Sequence, residues 1–155
     1  MKTIPLTQGK LALVSDNDYP LLRQWKWCAS HNKNKNKKWY AVRRCGTSTI
    51  SMHQQITGTN GVDHRDGNGL NNQRRNLRIA NRSQQQWNQG RRVNNASGYK
   101  GVHWDKNRLK WAVEIWVNGS KKFLGRFTNK LTAARAYDAA ATQHRGRFAL
   151  LNFSA

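Results

Sequence analysis

Acidic residues are scarce in this chain. Its 155 residues hold 7 Asp and Glu against 28 Lys and Arg, for a net charge of +21. Few soluble chains carry such an excess without a polyanionic partner, and nucleic acid is the usual one. Cysteine is nearly absent too. Cys28 and Cys45 are far apart and form no CxxC pair, which argues against a disulfide scaffold or a cysteine zinc site and for reduced thiols in a cytoplasm. No apolar run is long enough to span a bilayer, and Met1-Lys2-Thr3-Ile4-Pro5 does not open a signal peptide. No basic amphipathic helix, lipidation signal or internal repeat is visible, so no membrane partner is expected. The length allows one ordinary domain or two small ones and excludes a large enzyme core.

The charge is spread over the whole chain. Residues 1–90 carry 15 basic and 4 acidic side chains, and residues 91–155 carry 13 and 3. Both halves are therefore expected to meet the polyanion; a basic tail on a neutral enzyme would look different. Along the first half, Lys10–Ser15 reads as a strand and Asp16–Gln24 as a short helix or turn, with Asp16 or Asp18 as its cap. The alternation around Trp25 and Trp27, and in Trp39-Tyr40-Ala41-Val42, predicts two strands of a small sheet. Between them lies a Lys/Asn-rich loop, either solvated and mobile or in contact with phosphates through its lysines. Residues 49–57 form another short ordered stretch.

The richest chemistry lies between residues 58 and 88. Val62-Asp63-His64-Arg65-Asp66-Gly67-Asn68-Gly69 leads through Asn71-Asn72 to Asn76-Leu77-Arg78-Ile79. Asn81-Arg82-Ser83-Gln84 then fits a capping box that opens a helix running to about Asn88. The pattern describes a short strand, a Gly/Asn loop, a returning strand and a helix packed across them. Asp63 supplies a hard anionic oxygen suited to Mg²⁺. His64 titrates near neutrality, so its imidazole can take a proton from water.

Residues 49–88 resemble the HNH nucleases, the ββα-metal family that includes homing endonucleases. The resemblance implies a site in which His64 is the general base and Asn76 orients its ring. Asp63 would bind one Mg²⁺ (or Mn²⁺). The second ligand, usually Asn or His on the helix, falls at Gln85, one methylene longer than Asn; this departure puts full activity in question. His53 matches a histidine common upstream of such sites, with a packing or supporting role. Arg74, Arg75 and Arg78 are expected to contact the DNA backbone, or to form a solvated face.

Beyond residue 98 the pattern changes. Gly101–Trp104, Lys110–Val117 and Lys121–Gly125 read as three strands, with Asn118-Gly119 as a type I′ hairpin signal. Residues 129–144 follow as one Ala-rich amphipathic helix. Tyr99-Lys100-Gly101-Val102, Glu114-Ile115, Leu124-Gly125, the Ala133–Ala140 run and Leu151-Asn152-Phe153 resemble the APETALA-type (ethylene-response-factor) DNA-binding domain. In that family a three-stranded sheet enters the major groove. The resemblance makes Lys100, His103, Trp116, Lys121 and Phe123 candidate DNA contacts. Several of these stand where plant members carry Arg, so the plant target sequence does not transfer. Trp111 is expected in the core rather than on DNA. Arg126, Arg135 and Arg145 are read as no more than a solvated face.

The expected fold class is therefore α+β. Residues 1–88 would form a small N-terminal sheet subdomain with the ββα-metal HNH motif. Residues 89–97 would be a linker, and residues 98–155 a three-stranded antiparallel sheet packed on one helix. The expected function is a phage- or mobile-element-type homing endonuclease that acts on double-stranded DNA in a bacterial or phage-infected cytoplasm. One site per chain predicts nicking by a monomer, with a homodimer on DNA where both strands are cut. The alternative is a DNA-binding regulator that keeps a weak or inactive nuclease fold.

Overall fold

A computed structural model describes residues 1–31, 38–91 and 94–153. Of the loop lysines expected to reach phosphate, Lys33, Lys35 and Lys37 lie outside the described residues and Lys38 within them; Arg92 and Val93 of the expected linker also lie outside. The chain is mixed α+β and divides into two compact units, Met1–Gln85 and Gln86–Ala155. The division falls at 85/86, so the stretch expected as a linker lies in the second unit.

In the first unit, β1 (Lys2–Pro5) and β2 (Leu11–Val14) pair antiparallel. Helix α1 (Tyr19–Leu22) is shorter than the expected Asp16–Gln24 element. Asp18 precedes it, but its carboxylate makes no cap bond because Arg74 takes both its oxygens. Strands β3 (Cys28–His31), β4 (Trp39–Cys45) and β5 (Ser48–Ser51) form an antiparallel meander. The expected strand around Trp25 and Trp27 is displaced toward Cys28. Trp27 instead lies in the core, 2% exposed, with its indole N–H donating to the Leu22 carbonyl at 2.8 Å. Burying a side chain of that size contributes roughly 1.5–3 kcal/mol. Ile4, Val14, Leu22, Ala41 and Met52 pack around it.

Helix α2 (Met52–Thr57) begins at Ser51, whose backbone N–H donates to the Gln54 side-chain oxygen at 2.8 Å. Then β6 (Val62–His64) runs into a loop, from which β7 (Asn71–Asn72) pairs parallel with β2. β8 (Leu77–Ile79) returns antiparallel to β6, with Val62 opposite Ile79, Asp63 opposite Arg78 and His64 opposite Leu77. Helix α3 (Arg82–Trp87) follows. Its expected capping box is present: the Gln84 N–H donates to Asn81 Oδ1, and the Asn81 N–H to Gln84 Oε1, both at 2.9 Å.

The second unit holds β9 (Val102–Asp105), β10 (Lys110–Val117) and β11 (Ser120–Phe127), an antiparallel sheet with β10 in the centre. Asn118 and Gly119 turn the β10–β11 hairpin with φ of 50° and 79°, the left-handed pair a type I′ turn requires. Asn129 caps α4 (Lys130–Arg145) by accepting from the Leu131 and Thr132 amides at 2.7 and 3.2 Å. One face of the sheet packs on α4 through Val102, Val113, Ile115, Ala133, Ala134, Tyr137 and Ala141, with Trp111 alongside. Gly101 is required where it stands: its φ is 77°, and a Cβ there would collide with the Tyr137 ring. Among the described residues no helix is long and apolar enough to cross a membrane.

Candidate functional site

The β6–β8 ribbon positions the expected chemistry of the first unit. Asp63 faces Arg78 and His64 faces Leu77 across the ladder. His64 is buried, 6% exposed. Its Nε2 lies 3.3 Å from Oδ1 of the fully buried Asn72, whose Nδ2 donates to the Gly69 carbonyl at 3.4 Å. That second bond turns the amide oxygen toward the ring. It assigns the ring proton to Nε2 and the lone pair to Nδ1. Burial pulls the His64 pKa below its usual value; the Asn72 bond and the Asp66 and Asp63 charges oppose it. The ring is therefore neutral at pH 7, as a proton acceptor must be.

Two further rings complete this environment. His53 stands edge-on to His64 at 5.1 Å between centroids, and Tyr40 lies 6.0 Å away. Tyr40 is raised above its usual pKa by burial and then by the Asp63 charge, so it keeps its proton. Its place is fixed from below by Gly69, where any Cβ would collide with the Trp39 carbonyl and the Tyr40 ring. His53 Nε2 lies 3.1 Å from the Ser51 hydroxyl, and its buried Nδ1 has no hydrogen-bond partner among the described residues.

Asn76 does not meet the imidazole as expected. Its Nδ2 donates to Asp66 Oδ1 at 2.9 Å and to the Asn71 carbonyl at 2.7 Å, while its Oδ1 accepts from the Asp66 N–H at 3.1 Å. It ties down the 65–71 loop, and Asn72 holds the ring. Burial pushes the Asp66 carboxyl up, but hydrogen bonds from the Asn68 N–H, Asn71 and Asn76 outweigh it, and the net pKa is lowered.

The three arginines of the motif differ. Arg78 donates from Nε and Nη2 to Asp63 Oδ2 at 2.8 and 2.6 Å, and both side chains are about nine-tenths buried. Arg74 is held by Asp18 and by its own N–H on the Ser15 hydroxyl at 2.9 Å. Arg75 is exposed. Arg74 and Arg75 are both presented to solvent, Arg74 while paired with Asp18, whereas the Arg78 side chain is nine-tenths buried against Asp63.

The expected metal ligands can be tested against what the fold gives them. Asp63 offers a carboxylate shared with Arg78. Gln85 donates its Nε2 to the Ala80 carbonyl at 3.3 Å, so its Oε1 is the end left to act as a ligand. Both donors are oxygens, the kind a hard divalent cation takes. Among the described residues no group of three His, Cys, Asp or Glu could hold a metal. A cation there would draw on Asp63, Gln85, water and substrate oxygens. The donor set fits Mg²⁺ or Mn²⁺ in kind, and weakly.

In the second unit the face opposite α4 carries most of the expected contacts. Ala112, Glu114 and Trp116 alternate with the core residues Val113 and Ile115, and their cross-strand partners are His103, Phe123 and Lys121. Trp116 and Phe123 are 58% and 49% exposed. Lys121 pairs with Glu114 at 2.6 Å, and His103 approaches the same carboxylate at 3.9 Å. Arg126 joins this face. It donates to Asp105 at 2.7 Å and lies 4.8 Å over the Phe123 ring.

Two residues depart from expectation. The Lys100 ammonium donates to the Trp87 and Gln89 carbonyls, each at 2.6 Å, and burial pulls its pKa down to about 8, with the Arg145 charge adding to the effect. Lys100 is therefore committed to the backbone and not offered to a polyanion. Arg145 is buried, not a solvated face. It donates to the Tyr137 hydroxyl at 2.8 Å and to the Trp116 carbonyl at 3.1 Å. Sequence reasoning missed Asn72, Tyr40 and Arg126 as members of these two sites. Trp39–Val42 alternation marks Tyr40 as ordered but not as a neighbour of His64, and nothing in the spacing separates Asn72 from Asn76.

No family model matches the chain. A stretch of 60 residues is 38% identical to Protein 3.8 of Escherichia phage T7, covering 39% of this chain and 50% of the phage protein. A stretch of 59 residues is 41% identical to APETALA2-like protein 2 of Oryza sativa subsp. indica, covering 38% of this chain and 14% of the rice protein. A stretch of 58 residues is 41% identical to AP2-like ethylene-responsive transcription factor TOE2 of Arabidopsis thaliana, covering 37% of this chain and 12% of that protein. The chain thus spans half or less of the length of these curated relatives. Part of it is similar to AP2/ERF-type proteins.

Proposed function

We propose that the protein is a two-part DNA enzyme: a metal-dependent endonuclease of HNH type in the first unit and an AP2/ERF-like unit that grips double-stranded DNA. The observation that carries the reading is His64. It is a buried, neutral imidazole next in sequence to Asp63, held through Nε2 by Asn72, on a ribbon followed by a capped helix. The similarity to plant AP2/ERF proteins and the net charge of +21 support the DNA-binding half. The phage relative agrees with a setting in a bacterial or phage-infected cytoplasm.

In this reading His64 Nδ1 takes a proton from water as its oxygen attacks phosphorus, and Asn72 keeps the ring from turning. The bond to the leaving 3′ oxygen breaks, leaving 5′-phosphate and 3′-hydroxyl ends, as the HNH resemblance implies. Asp63 and Gln85 are the residues that would hold a divalent cation, which supplies charge stabilisation at phosphorus when bound. Trp116, Lys121, Phe123 and Arg126 would meet the major groove, and Arg75 the backbone. One chain carries one such site, so a monomer nicks, and a homodimer or a second visit is needed to break both strands.

Supercoiled plasmid incubated with the full chain tests this directly. Relaxed circles should accumulate with Mg²⁺ or Mn²⁺ and not with chelator. A second reading, a DNA-binding regulator with an idle nuclease fold, is favoured by the capture of Asp63 by Arg78 and by Gln at position 85. Duplex binding without nicking in either metal would establish it and end the first.

A further inference from the structure

We propose that Asp63 and Arg78 together form one composite site that takes a divalent cation and a phosphodiester oxygen as a pair, and takes neither well alone. The proposal rests on the nuclease reading above and names how its metal site is regulated. The geometry begins with the ladder: positions 63 and 78 are direct cross-strand partners, so their side chains stand side by side on the same surface of the ribbon. Arg78 Nε and Nη2 donate to one carboxylate oxygen, Asp63 Oδ2, at 2.8 and 2.6 Å, and the side chains are 10% and 11% exposed.

In this state the carboxylate and the guanidinium sum to no net charge. An incoming dication gains the carboxylate but meets the Arg78 cation in the same poorly hydrated spot, where unlike and like charges act with little screening. The neighbouring groups offer no relief. The Asp66 carboxylate is engaged by the Asn68 N–H and by the Asn71 and Asn76 amides. Among the described residues no third His, Cys, Asp or Glu joins to make a metal cluster.

A phosphodiester changes this balance. It brings one negative charge and oxygens that match the guanidinium fork as well as a carboxylate does. Arg78 then exchanges Asp63 for the phosphate, and Asp63 exchanges Arg78 for the cation. One ion pair exists before and two after, and neither buried side chain is left without an opposite charge at either stage. Arg78 is in this account both a phosphate-binding residue and a positioning residue for Asp63. The cation is admitted when DNA is present, which keeps a free metal ion from being held where no substrate lies.

The test measures Mn²⁺ binding to the full chain by calorimetry and by the spin-resonance signal of bound ion, with and without a short duplex. Asp63→Asn serves as the background for ion held by DNA itself. Wild-type protein should bind Mn²⁺ at least about tenfold more tightly with duplex than without. Arg78→Gln, which keeps an amide donor and removes the charge, should bind Mn²⁺ at least about tenfold more tightly than wild type in the absence of DNA. Its further gain on adding duplex should shrink below about threefold. Arg78→Lys should fall between the two, and it keeps the buried charge should the Gln variant fail to fold. If both variants bind free Mn²⁺ no better than wild type while Asp63→Asn abolishes binding, the coupling is refuted and the nuclease reading stands. If Asp63→Asn changes nothing even with duplex, the metal site itself falls, and this proposal with it.

Discussion

Acidification puts a proton onto His53, a ring that the fold of the first unit accommodates only in its neutral form. Burial, and then the proximity of His64, lowers its pKa from 6.5 to about 4. The structural reason is visible: Nδ1 is buried without a hydrogen-bond partner among the described residues, so an added proton would point a donor at none of them. Between pH 6.5 and 4 the unfolded chain binds a proton that the folded chain refuses. Stability from this residue is therefore complete above pH 6.5, falls as the pH falls, and levels off below about 4. At 1.36 kcal/mol per unit, the loss is about 1 kcal/mol at pH 5.5 and about 2–3 kcal/mol at pH 4.5. His53→Gln keeps a polar partner for Ser51 and cannot titrate, so that part of the pH dependence should vanish. The measurement is amide hydrogen exchange across residues 39–57 at pH 7.5, 5.5 and 4.5, with rates corrected for intrinsic exchange. His64, also lowered, contributes to both proteins alike, which is why the difference between them is the informative quantity. Equal pH dependence in the two would show that His53 titrates normally in the folded state and that the reasoning from its buried nitrogen is wrong.

Five further outcomes are expected. His64→Ala should slow plasmid nicking by roughly 10²–10⁴-fold while duplex affinity, measured by fluorescence anisotropy, stays at the wild-type value. Gln85→Asn should raise nicking at limiting Mg²⁺ and Gln85→Ala should lower it; rates against Mg²⁺ concentration that coincide for all three proteins would remove residue 85 from the ligand set. Gly101→Ala should destabilise the second unit by more than about 2 kcal/mol in urea unfolding, because the substitution meets both a left-handed backbone and the Tyr137 ring. A fragment of residues 86–155 should fold and bind duplex without cutting it, with log K falling by about 0.9 per phosphate contact for each unit of log salt. A fragment starting at residue 95 lacks the Trp87 and Gln89 carbonyls that hold Lys100 and should melt at a lower temperature.

What could be read in advance were the features whose cause is local. Asn118-Gly119 specifies its turn by backbone preference alone, Asn129 caps α4 with its own oxygen, and Asn81 and Gln84 cap α3 reciprocally. The same signature stands at Ser51 and Gln54, yet the surrounding polar residues drew no attention to it, and α2 was read only as an ordered stretch. Tertiary partners were out of reach. Asn71 and Asn72 become a strand because β2 offers a parallel edge more than fifty residues earlier. That pairing delivers Asn72 to His64, and no local pattern prefers Asn72 over Asn76 for the task. The APETALA-type resemblance alone makes Lys100 a candidate DNA contact. The carbonyls of Trp87 and Gln89 reverse that, and their position follows from the fold rather than from neighbouring letters.

Asn152 closes the second unit in a way that bears on when it can fold. Its Oδ1 accepts from the Lys100 N–H at 2.7 Å, and its Nδ2 donates to the Lys100 carbonyl at 3.1 Å, as a neighbouring strand would. Asp138 in turn accepts from the Asn152 and Phe153 amides at 2.8 and 3.0 Å. The residue leading into β9 is thus completed by a residue fifty-two positions later. During synthesis on the ribosome, which releases a chain from its N-terminal end, β9 and the β10–β11 hairpin emerge while this clasp is still missing. Among the described residues the strand pairings of the first unit lie within residues 2–79, so it can settle early. The second must wait until residues 152 and 153 have cleared the exit tunnel. A chain truncated after residue 140 should therefore show a folded first unit and an open, protease-sensitive sheet.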